Sequence, residues 1–481
     1  MELKKILPNQ KLNKNISTLS IKNINDDSRK AAPGDAFFVL EGKAFDIFSV
    51  LKSIEGKVSC FIASHKNKKE VLNCNLQAPV IFVNNIDDVY RKAVDIFYGF
   101  DTRNFKFIGI TGTKGKTTTA FLLYHLFGSL KQNASLLGTI KYIIGKKEYE
   151  ATHTTPDYLR SRKIFSEIKK QNSKYIIMEV SSHGIEQQRV SGINFSRCVF
   201  TNLSREHLDY HKTMSNYFAA KENFFLQNKK SLSIINKNDK YGLKLIRQAS
   251  KAITYAIDSK ADFTAKNITV NKSGIQFQLY YKGKKYCVES TLLGRHNISN
   301  ILAAIATTFS LGFSLDDIIK YIGTFKGVEG RLQEVSNGIF IDYAHSPDSL
   351  RKALSALKDI GYKKIICLFG CGGNRDKGKR KIMGGIACKL ADFTFITSDN
   401  PRYENPLVIC RQIESGFSKK KYVLVPDRKD AIEQALKMKN NLNDTCLLIA
   451  GKGHENYQII GDKKVPFKDS EIVRKCVDSR R

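Results

Sequence analysis

The sequence predicts an α/β protein of three domains, and three observations support that class. The chain has 481 residues, whereas a single hydrophobic core stops growing near roughly 250–300 residues. Hydrophobic residues make up 42% of the chain, an ordinary share for a globular protein with substantial cores. Short apolar runs typical of buried strands alternate with helix-like stretches along the whole chain.

The two outer domains are predicted from their strand-like runs. We expect residues 1–101 to form a small α/β domain and residues 331–481 to form a Rossmann-like domain. The runs that support them are residues 36–40, 60–63 and 80–83 in the first domain, and residues 365–369, 393–396, 422–425 and 446–449 in the last.

The central domain, residues 102–330, is predicted from a glycine-rich turn between a strand and a helix. The apolar run 105–110 leads into residues 112–118 (GTKGKTT), and a helix-like stretch follows. Glycines let backbone N–H groups surround phosphate oxygens, Lys116 brings charge to the terminal phosphates, and the Thr117 hydroxyl suits Mg²⁺. The turn predicts a parallel-sheet P-loop domain that binds ATP and Mg²⁺. A flexible lysine-rich turn without a ligand is the alternative.

Two polar segments follow the next strand-like runs, at the strand ends where parallel sheets carry their sites. The first, residues 178–184 (MEVSSHG), offers Glu179 as a carboxylate for a metal ion, or else forms a helix-capping cluster. The second, residues 201–211 (TNLSREHLDYH), contains His207, although an isolated histidine is more often a surface residue.

Together these segments resemble those of the Mur ligase family, and the resemblance extends over essentially the whole chain. The GTKGKTT turn is similar to the family's GTNGKTT loop, and the two polar segments are similar to its metal-site segments. The resemblance implies a P-loop ATPase domain flanked by the two outer domains. It implies that ATP is bound by Gly112, Thr113, Lys114, Gly115, Lys116, Thr117, Thr118, Asn297, Asn300 and Arg331.

The resemblance also assigns catalytic residues and ligands of Mg²⁺. It implies catalytic roles for Lys116, Glu179, His207 and Lys221, and Mg²⁺ binding by Thr117, Glu179, His207 and Lys221. The family's counterpart of Lys221 is carbamylated by CO₂, which turns a cation into an oxygen ligand. Without the resemblance, Lys221 would be predicted to be a solvent-exposed helix lysine.

Within the family, the similarity is greatest to members that add the third amino acid to a UDP-N-acetylmuramoyl-dipeptide. Residues 27–29 (DSR) and 33–35 (PGD) are similar to the segment that cradles the uridine nucleotide, which assigns Ser28 to that ligand. The residues similar to the dipeptide-binding positions are Thr154, Thr155, Ser181, Gln187 and Arg189. Residues 294–300 (GRHNISN) resemble the adenine-contacting segment, and Arg331 with residues 342–347 (DYAHSP) resembles the hinge before the last domain.

Three segments of the last domain are predicted to bind the incoming amino acid. Residues 372–376 (GGNRD), 399–402 (DNPR) and 451–455 (GKGHE) each follow an apolar strand, so we expect them to converge at one sheet edge. Two arginines can each form bidentate hydrogen bonds with a carboxylate, and a glutamate can bind an ammonium group. This set suits a zwitterionic amino acid with a second carboxylate. The predicted contacts are Arg375, Asp399, Asn400, Pro401, Arg402, Gly451 and Glu455. In the family, DNPR looks like the mark of members that add meso-diaminopimelate.

The resemblance implies an ATP-dependent ligase of peptidoglycan precursor synthesis that adds meso-diaminopimelate to UDP-N-acetylmuramoyl-L-Ala-D-Glu through an acyl phosphate. The same ligase with L-lysine or L-ornithine is one alternative. A folylpolyglutamate synthetase-type ligase is another, although it would not need the DSR, PGD and DNPR segments. A nucleic-acid-dependent ATPase and a non-catalytic binding module are alternatives from other classes.

Composition bears on the partners and the compartment. The formal net charge is +33, but the lysines are spread through every region without a stripe of basic and aromatic residues, so no nucleic-acid partner is predicted. The first residues lack the pattern of a secretory signal, and no apolar stretch is long enough to cross a bilayer. The ten cysteines form no CxxC pair. We therefore expect a cytoplasmic monomer without membrane insertion.

Overall fold

The computed structural model describes residues 1–41, 45–440, 442 and 444–478. The chain divides into two compact units: the first comprises Met1–Gly109 and Gln132–Ser196, and the second Ile110–Lys131 and Arg197–Arg481. Both contain parallel strands covered by helices, so the predicted α/β class is confirmed. The domain boundaries after residues 101 and 330 stay a prediction. Within the described residues, no helix is both long and apolar enough to cross a membrane.

The first unit opens with a four-stranded parallel sheet whose strands lie in chain order. Its strands are β1 Asn23–Asn25, β2 Asp35–Phe38, β3 Val58–Ser64 and β4 Val80–Val83, and its helices are α1 Leu3–Ile6, α2 Lys14–Ser17, α3 Phe48–Ile54, α4 Lys68–Asn73 and α5 Ile86–Tyr98. β2 is buried along its whole length because α5 packs on one face of the sheet and α3 on the other. Burial on both faces is typical of parallel sheets.

The chain passes through β5 Lys106–Thr111, which begins in the first unit and ends in the second, and through α6 Lys116–Ser129. It then returns to the first unit. The elements there are β6 Ala134–Leu137, β7 Lys141–Ile144, β8 Lys147–Glu150, α7 Tyr158–Lys170, β9 Tyr175–Glu179 and α8 Ser182–Glu186. β9 and β6 are parallel, and β7 and β8 extend the sheet as antiparallel strands. β9 is buried throughout and ends at Glu179.

The second unit contains a parallel series of strands that ends in an antiparallel ribbon. The strands are β10 Phe195–Phe200, whose first two residues belong to the first unit, β11 Leu232–Asn236, β12 Ala252–Ile257, β13 Phe263–Asn271, β14 Gly274–Tyr281 and β15 Lys284–Ser290. The helices are α9 Leu208–His211, α10 Met214–Gln227, α11 Lys240–Gln248, α12 His296–Ser310 and α13 Leu315–Ile322. α12 is almost wholly buried because it packs against α6, β11 and β12.

A six-stranded sheet in the order β16-β17-β21-β18-β19-β20 completes the second unit, and only β16 runs antiparallel to its neighbour. The strands are β16 Gln333–Ser336, β17 Ile339–Asp342, β18 Lys364–Phe369, β19 Phe393–Ile396, β20 Tyr422–Leu424 and β21 Thr445–Ala450, and the hairpin β22 Tyr457–Ile460 and β23 Lys463–Pro466 follows. The helices are α14 Pro347–Asp359, α15 Gly378–Leu390, α16 Pro406–Glu414, α17 Arg428–Asn440 and α18 Asp469–Asp478. Apolar clusters cover both faces of this sheet, which confirms the predicted Rossmann-like layering.

Candidate active site

The phosphate loop, residues 112–115, lies between the end of β5 and the start of α6. Gly112 and Gly115 have φ angles of 145° and 87°, a region that favours glycine. A Cβ on Gly112 would lie 1.9 Å from Thr201 Oγ1, and a Cβ on Gly115 would lie 2.3 Å from Asn300 Oδ1. The loop conformation therefore requires glycine at both positions.

Lys116 and Thr117 open α6, where the first backbone N–H groups have no partner within the helix and attract anions. Lys116 Nζ donates to Gly112 O at 2.9 Å and to Thr113 O at 3.1 Å, which holds the ammonium group beside the loop. The Thr117 side chain is buried. This arrangement of a helix N-terminus, a glycine loop and a lysine can bind the phosphate groups of a nucleotide.

The segment 201–206 is hydrogen-bonded to the phosphate loop at Lys114. Thr201 Oγ1 and Asn202 Nδ2 donate to the Lys114 carbonyl at 2.7 and 2.9 Å, and Lys114 N donates to Asn202 Oδ1 at 3.0 Å. Lys114 Nζ donates to Glu206 Oε1 at 2.7 Å. Burial raises the pKa of the Glu206 carboxyl, but the attraction and hydrogen bond of the Lys114 ammonium group, together with the attraction of Lys116 and His207, outweigh burial and lower that pKa to about 2. Glu206 is therefore ionised at neutral pH.

Lys221 lies on α10 with 1% of its surface exposed, so the alternative of a solvent-exposed helix lysine is wrong. Its Nζ donates to Gly112 O at 3.0 Å and lies 3.4 Å from Thr111 Oγ1. Burial lowers the pKa of Lys221 well below its usual value, and repulsion from the Lys116 ammonium group lowers it further. This buried amine beside the phosphate loop is therefore easier to deprotonate than the amine of an exposed lysine.

His207 lies at the start of α9, exposed to solvent, with its ring 6.0 Å from the ring of Tyr217. The Tyr217 hydroxyl forms a 3.1 Å hydrogen bond with Thr113 Oγ1, which links α10 to the phosphate loop. Ser204 Oγ, on the segment that leads to His207, is buried and has no hydrogen-bond partner among the described residues. Oxygen and nitrogen donors thus surround the loop on the α9 and α10 side.

A magnesium ion fits this donor set if it arrives with a nucleotide. Among the residues that the structure describes, no three His, Cys, Asp or Glu side chains form a ready-made metal site. Mg²⁺ is usually held by one or two protein groups together with phosphate oxygens and water, rather than by a cage of protein ligands. The buried Thr117 hydroxyl beside the phosphate loop suits that mode.

The other residues predicted to bind ATP also lie around the phosphate loop. Asn300 Nδ2 donates to Asn297 Oδ1 at 2.7 Å, and Asn297 Nδ2 donates to Leu293 O at 2.7 Å. Arg331 Nη2 lies 3.5 Å from Thr117 Oγ1, and its guanidinium lies 4.9 Å from the ring centre of Tyr343. Arg331 Nε is buried and has no partner in the described part of the chain, so a further acceptor would satisfy it.

In the first unit, the residues predicted to bind the dipeptide form one hydrogen-bonded network at the end of β9. Thr155 Oγ1 donates to Glu179 O at 2.8 Å and lies 3.2 Å from Ser181 Oγ. Arg189 Nη1 donates to Thr155 O at 2.8 Å, and Arg189 Nη2 donates to Gln187 Oε1 at 2.6 Å. The structure therefore brings these four side chains and Glu179 together.

Thr139 connects the remaining predicted residues to this network. Its backbone N and its hydroxyl donate to the two oxygens of Glu179 at 2.8 and 2.9 Å, and its hydroxyl lies 3.1 Å from Thr154 Oγ1. Ser28 lies in the short turn Ser28–Lys30. Asp26, two residues before Ser28, has a raised pKa because it is buried and because the Asp157 carboxylate repels it.

The three segments predicted to bind the amino acid converge where β18, β19 and β21 end, as predicted. Asn400 Nδ2 and Lys452 Nζ both donate to Glu455 Oε2 at 3.0 Å, and Lys452 Nζ lies 3.2 Å from Asn400 Oδ1. A Cβ on Gly451 would lie 2.7 Å from Asp399 Oδ2. Arg402 Nη1 donates to Gly373 O at 2.9 Å, which joins the DNPR and GGNRD segments.

Sequence reasoning missed Glu206 and Lys452. Glu206 pairs with Lys114, but a carboxylate in a polar segment gives no sign that it reaches a lysine ninety-two positions away. Lys452 belongs to the predicted segment 451–455 but is not among its predicted contacts, yet it is fully buried and contacts two predicted site residues. A lysine between two glycines that follow a buried strand was the available signal.

Comparisons with known proteins agree over the whole chain. Residues 110–308 match the family described as Mur ligase middle domain, and residues 330–453 match the one described as Mur ligase, glutamate ligase domain. The chain is 38% identical to UDP-N-acetylmuramoyl-L-alanyl-D-glutamate--2,6-diaminopimelate ligase 1 of Clostridium acetobutylicum and 35% identical to the ligase of that name from Clostridium tetani, each over 99% of both chains. A solved structure of a 2,6-diaminopimelate ligase of this name superposes with a TM-score of 0.68 and 28% identity, covering 100% of this chain and 99% of that one.

Proposed function

The chain belongs to the Mur ligase family, and from that membership we propose that it joins meso-diaminopimelate to UDP-N-acetylmuramoyl-L-Ala-D-Glu with hydrolysis of ATP, in peptidoglycan precursor synthesis. The observation that carries the choice of amino acid is the convergence of Arg402, Asn400 and Glu455 at one edge of the last sheet. Full-length similarity to ligases named for this reaction supports it.

The proposed reaction proceeds through an acyl phosphate. The terminal carboxylate of the dipeptide attacks the γ-phosphorus of ATP and ADP leaves, after which the amine of the amino acid attacks the acyl carbon and phosphate leaves. Lys116 and the first N–H groups of α6 neutralise the phosphate oxygens as charge moves between them. Electrostatic stabilisation and positioning therefore provide most of the acceleration, and no side-chain nucleophile is required.

Mg²⁺ is part of the proposal, with Thr117, Glu179, His207 and Lys221 as its assigned ligands. When bound, it supplies positive charge to the phosphate oxygens. Lys221 is proposed to act as a carbamate, formed when its unprotonated amine attacks CO₂ and releases a proton. The low pKa that burial gives Lys221 supports this step, because only the neutral amine has a lone pair to attack with.

The proposed amino-acid site distinguishes diaminopimelate from lysine by one carboxylate. Arg375 and Arg402 would bind the carboxylates, and Glu455 would bind an ammonium group. Lysine lacks the distal carboxylate and would leave a guanidinium unpaired, which costs roughly 2–5 kcal/mol when the group is desolvated. We propose discrimination of at least about a hundredfold in kcat/KM on that basis.

The test is a phosphate-release assay with UDP-N-acetylmuramoyl-L-Ala-D-Glu, ATP, Mg²⁺ and a panel of meso-diaminopimelate, L-lysine and L-ornithine. Phosphate release that depends on the dipeptide and is fastest with diaminopimelate is the expected result. Preference for lysine or ornithine would contradict the assignment of diaminopimelate as the substrate, but the assignment of ligase activity would stand. Phosphate release that depends on polynucleotide instead would favour the ATPase alternative.

We propose that the enzyme works as a cytoplasmic monomer.

A further inference from the structure

An ion pair between a buried arginine and a partly buried glutamate joins two of the three amino-acid-binding segments, and neither of its residues belongs to the proposed site. Arg380 on α15 has 0% of its surface exposed. Its Nη1 donates to Glu404 Oε2 at 2.8 Å and its Nη2 donates to Glu404 Oε1 at 3.0 Å, so the guanidinium and the carboxylate meet fork to fork. This is the strongest geometry for such a pair.

Each member of the pair also holds the loop of residues 372–376. Arg380 Nη2 donates to Gly372 O at 3.1 Å, and Glu404 Oε1 accepts the backbone N–H of Asn374 at 2.5 Å. Asn374 Oδ1 in turn accepts the N–H of Tyr403 at 3.1 Å. Because Glu404 lies two residues after Arg402, the last residue of the DNPR segment, the pair fixes the distance between that segment and the 372–376 loop.

The two arginines proposed to bind carboxylates lie on these two loops, close to Gly372. A Cβ on Gly372 would lie 3.0 Å from Arg402 Nη1 and 3.7 Å from Arg375 Cγ. Arg402 and Asn374 have left-handed backbones, with φ of 53° and 51°. Such backbones persist in residues other than glycine only where the surroundings hold them.

We propose that Arg380 and Glu404 are positioning residues that set the spacing of Arg375 and Arg402 and thereby the selectivity for an amino acid with a second carboxylate. The inference rests on the proposed function. Bidentate binding of a carboxylate by a guanidinium tolerates little displacement of either group, since a shift of about 1 Å can reduce a rate about a hundredfold. A substrate without the distal carboxylate depends less on this spacing, so loosening the loops affects diaminopimelate more than lysine.

The experiment compares the wild type with Glu404→Gln and Arg380→Lys. We expect each variant to raise the KM for diaminopimelate about 10–100-fold, with the KM values for ATP and for the UDP-linked dipeptide unchanged. The ratio of kcat/KM for diaminopimelate to that for lysine should fall by a similar factor. Glu404→Asp, which keeps the charge but shortens the side chain, should recover part of the loss.

Asp95→Asn is the matched control, because it weakens a second ion pair that contains a fully buried arginine. Arg162 in the first unit is 0% exposed and its Nε donates to Asp95 Oδ1 at 2.9 Å. This variant should lower the melting temperature without changing the selectivity ratio. If Arg380→Lys does not fold, the two Glu404 variants carry the test.

The positioning role would be overturned if Glu404→Gln left the ratio of kcat/KM for diaminopimelate to that for lysine unchanged. It would also be overturned if the KM values for ATP, the UDP-linked dipeptide and diaminopimelate rose equally. A wild type that prefers lysine would instead overturn the proposed function. In that case the KM of the preferred amino acid in the same variants still decides whether the pair positions the loops.

Discussion

The phosphate loop and the amino-acid site are built in opposite ways. The loop is contiguous in sequence, and its shape follows from glycines at positions 112 and 115 that no other residue can replace without a clash. The amino-acid site gathers three segments spread over residues 372–455, and buried charged residues such as Lys452 hold them together. A local site is therefore visible in a motif, whereas an assembled site depends on residues that no motif marks.

The largest effect is expected where the loop is contiguous. Lys116→Ala should abolish turnover, a loss of about 10³-fold or more, because its ammonium group acts on the transferring phosphoryl group and not in a core. The melting temperature should stay that of the wild type. Lys251→Ala, at an exposed lysine of the same unit, should keep full activity in the same phosphate-release assay. Near-normal turnover by folded Lys116→Ala would remove the phosphate-loop assignment.

Lys221→Ala tests the buried lysine of α10 that donates to the phosphate loop. We expect a loss of about a hundredfold or more, of the size found when one group that stabilises the transition state is removed. Acetate or another small carboxylate should restore part of the activity if the missing group is a carbamate. Rescue is the decisive readout, measured as phosphate release against acetate concentration. Full activity without acetate would show that the amine has no part in the reaction.

Arg402→Ala should break the assembled site and leave the contiguous one intact. The kcat/KM for diaminopimelate should fall about a hundredfold, and the preference over lysine should narrow because no guanidinium is left unpaired when lysine binds. The KM for ATP should not change. A parallel rise in the KM for ATP would mean that the substitution affects the phosphate loop as well as the amino-acid site.

Acidification should lower the free energy of unfolding through the protonation of two histidines near these regions. Burial lowers the pKa of His345 and of His454 to about 4 from the ordinary value of 6.5. The folded protein therefore binds these protons less readily than the unfolded chain. The stability that results is fully present above pH 6.5 and is lost as the pH falls towards 4.

Because both side chains are only partly buried, we expect about 1–3 kcal/mol for each histidine. The measurement is the free energy of unfolding in urea across that pH range. The double variant His345→Asn and His454→Asn should show a shallower dependence on pH than the wild type. An identical dependence in both proteins would assign the acid sensitivity to other groups.

Sequence reasoning predicted the α/β class, the strands that end at the phosphate loop and at the three amino-acid-binding segments, and the convergence of those three segments. It succeeded because buried parallel strands are apolar runs and because their ends meet at one sheet edge. It missed Lys452, Glu206, Arg380 and Glu404, which are charged residues whose partners lie far along the chain. Charge alone suggests a solvent-exposed surface, and only the folded structure shows that Arg380 and Lys452 are buried.

The hydrogen bonds from Thr201 and Asn202 to the Lys114 carbonyl have a consequence for nucleotide affinity. A free glycine-rich loop has many conformations, and ordering it when a ligand binds reduces affinity. In this protein the loop loses that freedom when the chain folds, because the segment 201–206 already holds it. Nucleotide binding then has little backbone entropy to remove, so its affinity reflects contacts with the phosphates rather than the ordering of the loop.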